Sequence, residues 1–354
     1  MKLLITGANG FLGKYVVAEA LRRGHFVRAM VRSAADAEKN GWTHHPRIEL
    51  AIADLRKRKG LADAVRGVNA VLHLAAAKAG DIYAQYAGTV VATENLLSAM
   101  EEAGVKRIVS ISSFSVYDYM KIPLFSKVSE MSPVEKDAFD RDEYAHTKLV
   151  QERLVRMWCT ERHWDFTILR PGVIFGRENL WTARIGVKAG RIWIRTGAHA
   201  RLPLTYVENC AEAIVMAAEV DSAKNQILNV VDDQTPSQRK YVSLLRKKTS
   251  PRPIVLPVPY TVMWLIAGGA KIFNRWFCGG QAKVPGIFVG CRLAARAKPL
   301  RYTNVGIKAA MGWKPRFTLK EALDRSTSEK DAALEEVKAG AVPPVTPEAV
   351  KGAA

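Results

Sequence analysis

Three glycines at even spacing near the start of the chain limit its fold more than any other feature. Gly7, Gly10 and Gly13 stand in Thr6-Gly7-Ala8-Asn9-Gly10-Phe11-Leu12-Gly13, between an apolar run at 2–6 and a helical apolar spacing at 14–23. In a strand–turn–helix setting the first glycine permits a tight turn. The second lets backbone approach a bound phosphate, and the third lets helix pack on strand. The helix N-terminus then turns its unpaired N–H groups and the positive end of its dipole toward that anion. The spacing therefore predicts a pyrophosphate-binding loop of the dinucleotide type, placed after the first strand of a parallel sheet.

The rest of the first half agrees. Apolar runs at 26–31, 48–53, 70–74, 107–112 and 166–170 alternate with helical stretches at 89–104 and 144–163. Such alternation implies βαβ units. The expected fold class is α/β, a Rossmann-type doubly wound parallel sheet with a smaller C-terminal α/β substrate-binding subdomain. Ligands on such sheets meet the carboxyl ends of the strands, so the residues just after each strand are the candidates for chemistry. Beyond Pro171 the pattern loosens into a helix at 209–220, a strand at 226–231 and a helix at 238–247. A proline-rich stretch at 251–259 and an apolar stretch at 260–277 follow. The expected division is a dinucleotide-binding domain over 1–176 and a substrate-binding region over 177–330, interleaved with the core sheet. A tail over 331–354, rich in Ala, Val, Pro, Glu and Lys, is expected to be disordered.

Tyr144 and Lys148, in Tyr144-Ala145-His146-Thr147-Lys148, lie four residues apart and so share a helix face. A phenol with its ordinary pKa of ~10 is a poor base at neutral pH, and a nearby ammonium lowers that value. The pair suits proton exchange with a substrate hydroxyl. Ser112-Ser113-Phe114-Ser115 follows the strand at 107–112, where a hydroxyl would hold the substrate oxygen. At the end of the second strand, Val31-Arg32-Ser33 offers no acid for a ribose 2′-hydroxyl. Arg32 there favours NADP over NAD, although stacking on adenine would suit either. Cys159, Cys210, Cys278 and Cys291 stand far apart without a C-x-x-C pair, which excludes a zinc ribbon and fits a reducing cytoplasm. No metal site is expected: His44-His45 lacks further ligands at metal spacing and reads as a solvated loop. His73 reads as a hydrogen-bonded core residue near the cofactor. Met1 runs directly into Leu3-Leu4-Ile5, so no secretory signal is expected.

Six motifs in order now carry a resemblance. They are the glycine loop, Asp54-Leu55, His73-Leu74-Ala75-Ala76, Ser112-Ser113-Phe114-Ser115-Val116-Tyr117, the Tyr144–Lys148 motif, and Arg170-Pro171-Gly172-Val173-Ile174-Phe175-Gly176. Together with a closing Gly312-Trp313-Lys314-Pro315-Arg316-Phe317-Thr318-Leu319-Lys320-Glu321-Ala322, they resemble the extended short-chain dehydrogenase/reductases, the NAD-dependent epimerase/dehydratase superfamily. The resemblance implies roles position by position. Gly7, Gly10, Phe11, Leu12 and Gly13 would form the pyrophosphate loop. Arg32 would meet the adenosine ribose, Asp54 and Leu55 the adenine, and Leu74, Ala75 and Ala76 would line the cofactor. Tyr144 would be the catalytic acid/base, with Lys148 its partner and nicotinamide-ribose ligand. Ser113 would complete the trio with Ser115 as the fallback, and Pro171, Gly172 and Val173 would touch the nicotinamide end. One element departs from the family: Thr89 and Ala92 replace its asparagine and glycine, which leaves open the hydrogen bonding behind the lysine. A homodimer through the helices at 89–104 and 144–163 is expected by resemblance only.

The sequence constrains the substrate least. Nucleotide-sugar enzymes of this superfamily usually place an arginine before a strand like 202–207, where this chain has Leu202, with Arg201 beside it. Val207-Glu208-Asn209-Cys210-Ala211-Glu212-Ala213 looks more like the 3β-hydroxysteroid dehydrogenase and dihydroflavonol reductase branches. The leading expectation is an NAD(P)-dependent oxidoreductase. It would move hydride between nicotinamide and a secondary alcohol or ketone of a bulky, sterol- or isoprenoid-like small molecule. A nucleotide-sugar epimerase or dehydratase stands second, and a non-catalytic dinucleotide-sensing or nucleic-acid-binding protein third. Charge bears on the last. The net charge is +19, yet residues 234–320 carry 17 Lys and Arg without one Asp or Glu, and the remainder nearly balances. Such a field attracts anions, but no helix-turn-helix, zinc or RNA-binding signature accompanies it. The stretch 260–277, with Trp264, Phe273, Trp276 and Phe277, is too interrupted to span a bilayer, which takes ~20 apolar residues. It reads as a packed helix, a pocket cover, or a segment on an anionic membrane surface, with Lys271, Arg275 and Lys283 toward the headgroups. Peripheral membrane contact is expected within 254–301 of an otherwise cytoplasmic protein.

Overall fold

The computed structural model describes residues 1–138, 141–196, 200–277 and 289–339, without the side chain of Lys271. The strands β1 (Lys2–Thr6), β2 (Phe26–Val31), β3 (Ile48–Ile52), β4 (Ala70–His73) and β5 (Arg107–Ile111) come first. They are joined by α1 (Phe11–Arg22), α2 (Ala34–Glu38), α3 (Leu61–Val65), α4 (Ile82–Tyr86) and α5 (Ala92–Glu102). After a two-residue strand, β6 (Lys127–Val128), the long helix α6 (Glu143–Glu161) leads into β7 (Asp165–Pro171). Next come β8 (Val173–Phe175), β9 (Gly186–Ala189), β10 (Ile192–Thr196), β11 (Leu204–Tyr206), α7 (Val207–Glu219) and β12 (Gln226–Val230). The remaining elements are α8 (Gln238–Lys247), β13 (Ile254–Val258), α9 (Tyr260–Phe277), α10 (Gly290–Ala297) and β14 (Arg301–Tyr302). Helices α11 (Val305–Met311), α12 (Leu319–Thr327) and α13 (Ala332–Lys338) close the described chain.

Seven strands form one parallel sheet in the order β12-β7-β5-β4-β1-β2-β3. This is the doubly wound Rossmann arrangement. The chain runs outward from β1 to β3 and then restarts at β4 on the other side of β1. That reversal opens a crevice at the carboxyl ends of β1 and β4. Alternation along each strand feeds two cores. Leu3, Ile5, Leu72, Val109 and Leu169 face one side with α1 and α7. Leu4, Val71, Ile108 and Ile168 face the other, with residues of α3, α5 and α6. Because both faces are covered, the strands are largely apolar instead of strictly alternating with polar residues. Outside this sheet, β10 pairs with both β9 and β13, and β8 pairs with β11.

The structure departs from the periodicity reading in several places. Helix α1 begins at Phe11, inside the glycine run, because Gly10 already serves as its N-cap. A π-type turn at Ala87–Val91 precedes α5, so the expected helix at 89–104 starts in a wider winding. The first part of the expected disordered tail is ordered: Ala332–Lys338 is helical, with Val337 buried and Asp331 accepting a hydrogen bond from Tyr15 at 2.5 Å. Residues 340–354 lie outside the described residues, as do Cys278 and Lys283. Only His44 of the histidine pair is exposed. His45 is buried and accepts from the Arg47 N–H at 3.2 Å. Strand β12, from the expected substrate-binding region, is an edge strand of the central sheet.

The loop between β1 and α1 is built as its glycines require. Gly7 takes φ 68°, and a Cβ there would stand 3.0 Å from the Ala75 nitrogen in the segment after β4. A Cβ on Gly13 would fall 2.1 Å from the Gly7 carbonyl oxygen. Gly13→Ala should therefore force the loop from the helix and cost about 1–3 kcal/mol. Urea unfolding and dinucleotide titration should both register it, as lower stability and weaker binding. Wild-type values in both would contradict this packing.

Candidate active site

Helix α6 places the central pair. The Asp142 carboxylate accepts the Ala145 N–H at 2.7 Å, and this N-cap starts the helix immediately ahead of Tyr144. Positions 144, 148, 151 and 152 then share a face toward the ends of β5 and β7. The Tyr144 phenol faces Ser113 closely enough for the serine to lower its pKa. Ser113 caps a single 3-10 turn after β5, Phe114–Val116, and accepts from the Ser115 N–H at 3.1 Å. The Ser115 hydroxyl is buried without a hydrogen-bond partner. Ser113, and not the fallback Ser115, is the serine that acts on the Tyr144 phenol. Against the expectation that a nearby ammonium lowers it, desolvation pushes the Tyr144 pKa up to about 12, and Ser113 works against that rise.

Lys148 is buried at the same strand end. Its Nζ donates to the Ile111 carbonyl at 2.6 Å and to Gln151 Oε1 at 2.8 Å. Burial lowers its pKa to about 7, Lys78 lowers it further, and Glu152 acts in the opposite direction. The hydrogen bonding behind the lysine, left open by the Thr89 and Ala92 replacements, continues through side chains. Gln151 Nε2 donates to Thr93 Oγ1 at 2.9 Å, and Thr93 donates to the Thr89 carbonyl at 2.5 Å. His73, fully buried, lies 2.8 Å from Thr6 Oγ1 and 2.9 Å from Thr93 Oγ1. Desolvation, with a smaller contribution from Lys148, lowers the His73 pKa to about 3, so its imidazole is neutral. Thr89 itself accepts the Ala77 N–H at 3.0 Å. His73 is thus the hydrogen-bonded core residue that its sequence setting implied.

A second buried cluster lies one turn along α6. The Arg170 guanidinium grips the Glu152 carboxylate, Nε at 3.1 Å, and Ser112 Oγ donates to the same carboxylate at 2.6 Å. Arg170 Nη1 also reaches the Tyr117 hydroxyl at 3.3 Å, which donates to Asn229 Oδ1 at 2.6 Å. The cluster joins β5, α6, β7 and β12 around the site. Gln151, Glu152 and Asn229 escaped the sequence reading. The first two had a signal, standing three and four residues after Lys148 on its helix face.

The remaining candidates border the crevice. Thr6 Oγ1 accepts the Ala75 N–H at 3.3 Å, which ties the loops after β1 and β4 together. Leu74, Ala75 and Ala76 are partly buried there. The first turn of α1 has no side-chain cap, so its N–H groups are left for a ligand. With Gly7 and Gly13 leaving no room for a Cβ, this cradle fits the pyrophosphate of a dinucleotide. Arg32 and Ser33 are exposed just past β2. Asp54 lies past β3, the neighbour of β2 in the sheet, where the Arg56 guanidinium lowers its pKa to about 2. Leu55 is buried, and its carbonyl accepts from Asn95 Nδ2 at 2.9 Å. Pro171 ends β7, and the Val173 N–H donates to the Pro203 carbonyl at 2.6 Å.

The sequence model of the NAD dependent epimerase/dehydratase family matches residues 3–230. The chain belongs to this family. Among the family relatives it is similar to, sterol demethylase protein B of Methylococcus capsulatus is 34% identical over 190 residues. That match covers 52% of this chain and 55% of the relative, so the chain spans about half the length of that protein. The human sterol-4-alpha-carboxylate 3-dehydrogenase, decarboxylating, is 24% identical over 335 residues, covering 91% of this chain and 86% of that protein. The NAD-bound UDP-glucose-4-epimerase structure from Stenotrophomonas maltophila superposes with TM-score 0.70 at 20% identity, over 95% of this chain and 99% of that one. That likeness establishes the fold.

Removing the Glu152 carboxylate would leave Arg170 buried beside an uncharged partner. Breaking a buried pair of this kind costs about 3–5 kcal/mol. Glu152→Gln should lose stability on that scale in urea unfolding. A loss below about 1 kcal/mol would show that the pair does not hold these elements together.

Proposed function

We propose that this chain is an NAD(P)-dependent dehydrogenase or reductase acting at a secondary alcohol or ketone of a bulky, sterol-like substrate. The observation that carries the reading is the Tyr144 phenol beside Ser113, with the buried Lys148 one turn along the same helix. The printed names of the sterol demethylase and sterol carboxylate dehydrogenase relatives support the substrate class. Leu202, buried where the nucleotide-sugar enzymes usually carry an arginine, weighs against the epimerase reading. Arg201 beside it donates to the Thr235 carbonyl at 3.0 Å. The complete trio weighs against a non-catalytic sensor.

In this reading Gly7, Gly10, Phe11, Leu12 and Gly13 hold the pyrophosphate of the dinucleotide. Asp54, Leu55, Leu74, Ala75, Ala76, Pro171 and Val173 line its remaining length, and Lys148 bonds its nicotinamide ribose. Bound there, the nicotinamide supplies the two-electron chemistry. The chain's own side chains manage the proton. Ser113 holds the substrate oxygen, and Tyr144 Oη exchanges a proton with it. With a pKa near 12, the phenol keeps its proton at neutral pH and suits donation to a carbonyl being reduced. In the direction of alcohol oxidation the phenol must lose that proton first. The Lys148 ammonium then stabilises the phenolate, and the phenolate stabilises the ammonium, so the two ionisations are coupled. Arg32, exposed at the end of β2 with no acid beside it, supports a preference for NADP. The region from 177, with β9, β10, β13 and α8 to α10, forms the substrate side. A second copy meeting α5 and α6 belongs to the same reading, supported by the exposed Met157 on α6.

Tyr144→Phe should cut kcat by about 10²–10⁴-fold, the range for a lost acid/base, with dinucleotide affinity nearly unchanged. Steady-state turnover of a 3-hydroxysteroid or its ketone, beside fluorescence titration of the dinucleotide, measures both. Wild-type turnover in the variant would remove the assignment. In the same assay NADP should give the higher kcat/KM.

A further inference from the structure

Helix α9 has apolar residues on nearly every side, and such a helix is ordinarily buried. Here only a narrow stripe is covered. Met263 and Ala267 pack on Leu293 and Ala297 of α10, with Val258 and Tyr260 at the fringe. Elsewhere Leu265 is 74% exposed, Ile272 63%, Phe273 58%, Trp276 79% and Phe277 76%. The exposed apolar surface continues back along the chain. Ile254 and Leu256 point from one face of β13, and Ile254 stands opposite Ile192 of β10, all three exposed. No described helix is long and apolar enough to cross a membrane.

The charges around this surface choose its occupant. Arg252, ahead of β13, and Arg275, on α9, are both exposed. They belong to the stretch 234–320 that holds 17 basic residues and no acidic one. A second copy docked face to face would bring these cations against their own images, with no carboxylate from this stretch to separate them. An anionic lipid surface offers phosphates for the cations and acyl chains for the aromatic and aliphatic side chains. We propose that β13 and α9 lie in the headgroup layer of an anionic bilayer, with Leu265, Phe273, Trp276 and Phe277 in the acyl boundary. Arg252 and Arg275 then meet the lipid phosphates. The surface is one helix from the site: Arg292 of α10 donates through Nε to the Arg141 carbonyl, just ahead of α6 and Tyr144. This names where a lipophilic substrate is met, and to that extent it rests on the proposed function.

The test is flotation of the full chain with two sets of vesicles, phosphatidylcholine alone and phosphatidylcholine mixed with phosphatidylglycerol. The chain should float with the mixed vesicles and bind phosphatidylcholine alone about tenfold more weakly, and high salt should release it. The double variant Leu265→Glu, Trp276→Glu should lose binding to the mixed vesicles, again by about tenfold or more, while its dinucleotide affinity stays at the wild-type value. Leu265→Gln serves as the milder variant if the double one fails to fold, and should bind more weakly than wild type. Absence of flotation with the mixed vesicles overturns the proposal, as does wild-type binding by a folded variant. So does a concentration-dependent dimer in sedimentation velocity that the variants abolish without any vesicle binding, because it makes the occupant a second copy. Turnover of a cyclodextrin-solubilised steroid separates the two readings. Turnover without vesicle binding defeats this inference alone, and vesicle binding without turnover defeats the proposed function alone.

Discussion

A lysine ammonium buried at the end of β5 is the constraint on which the site depends. Among the described residues, Lys148 has no carboxylate bonded to it. Its charge rests on a main-chain carbonyl, Ile111, and on the amide oxygen of Gln151. Burying a charge on neutral acceptors is costly, and the drop in its pKa to about 7 expresses that cost. Gln151 meets Thr93 and His73, and His73 meets Thr6 at the end of β1. The hydrogen bonds behind the lysine therefore run across the sheet from α6 to the strand that carries the glycine loop. The proposed proton-transfer pair and the proposed cofactor cradle are held by one network.

Topology explains why these groups meet. Every candidate follows the carboxyl end of a strand or stands on the helix that covers such ends, and the parallel sheet aligns those ends along one edge. The buried Glu152–Arg170 pair contributes by rigidity. It fixes α6 against β7, while Tyr117 and Asn229 extend the fixation to β12. A phenol and a serine hydroxyl on different elements stay within hydrogen-bonding reach only if those elements do not shift.

Much of this was legible in the sequence, and the physics explains which parts. The glycine loop, the parallel strands and the Tyr144–Lys148 pair have local signatures, in spacing, in apolar runs and in a shared helix face. The polar network had weaker ones. His73 and Thr93 are ordinary residues until the fold brings them together, and Asn229 arrives from 112 positions beyond Tyr117. Helix α13 looked like a tail because its composition is that of one. Its burial comes from the surface of α1, which local sequence does not contain. The π-type turn at 87–91 likewise leaves no mark on apolar periodicity.

The charge distribution ties the substrate side to the rest. The acid-free stretch 234–320 lies outside the glycine loop, and some of its cations meet carboxylates from beyond the stretch, Lys248 with Asp324 and Lys308 with Asp233. Under the proposed lipid contact, the exposed apolar helix α9 stands beside the substrate side, because α10 packs on it and meets the start of α6 through Arg292. All of this presupposes a lysine whose charge is poised by burial. The most direct test is a ¹³C NMR titration of the chain with lysine labelled at Cε, using Lys148→Met to assign the resonance. The account predicts one lysine that titrates near pH 7, apart from the others and missing from the variant. A Lys148 that titrates with the exposed lysines near ~10.4 would contradict it.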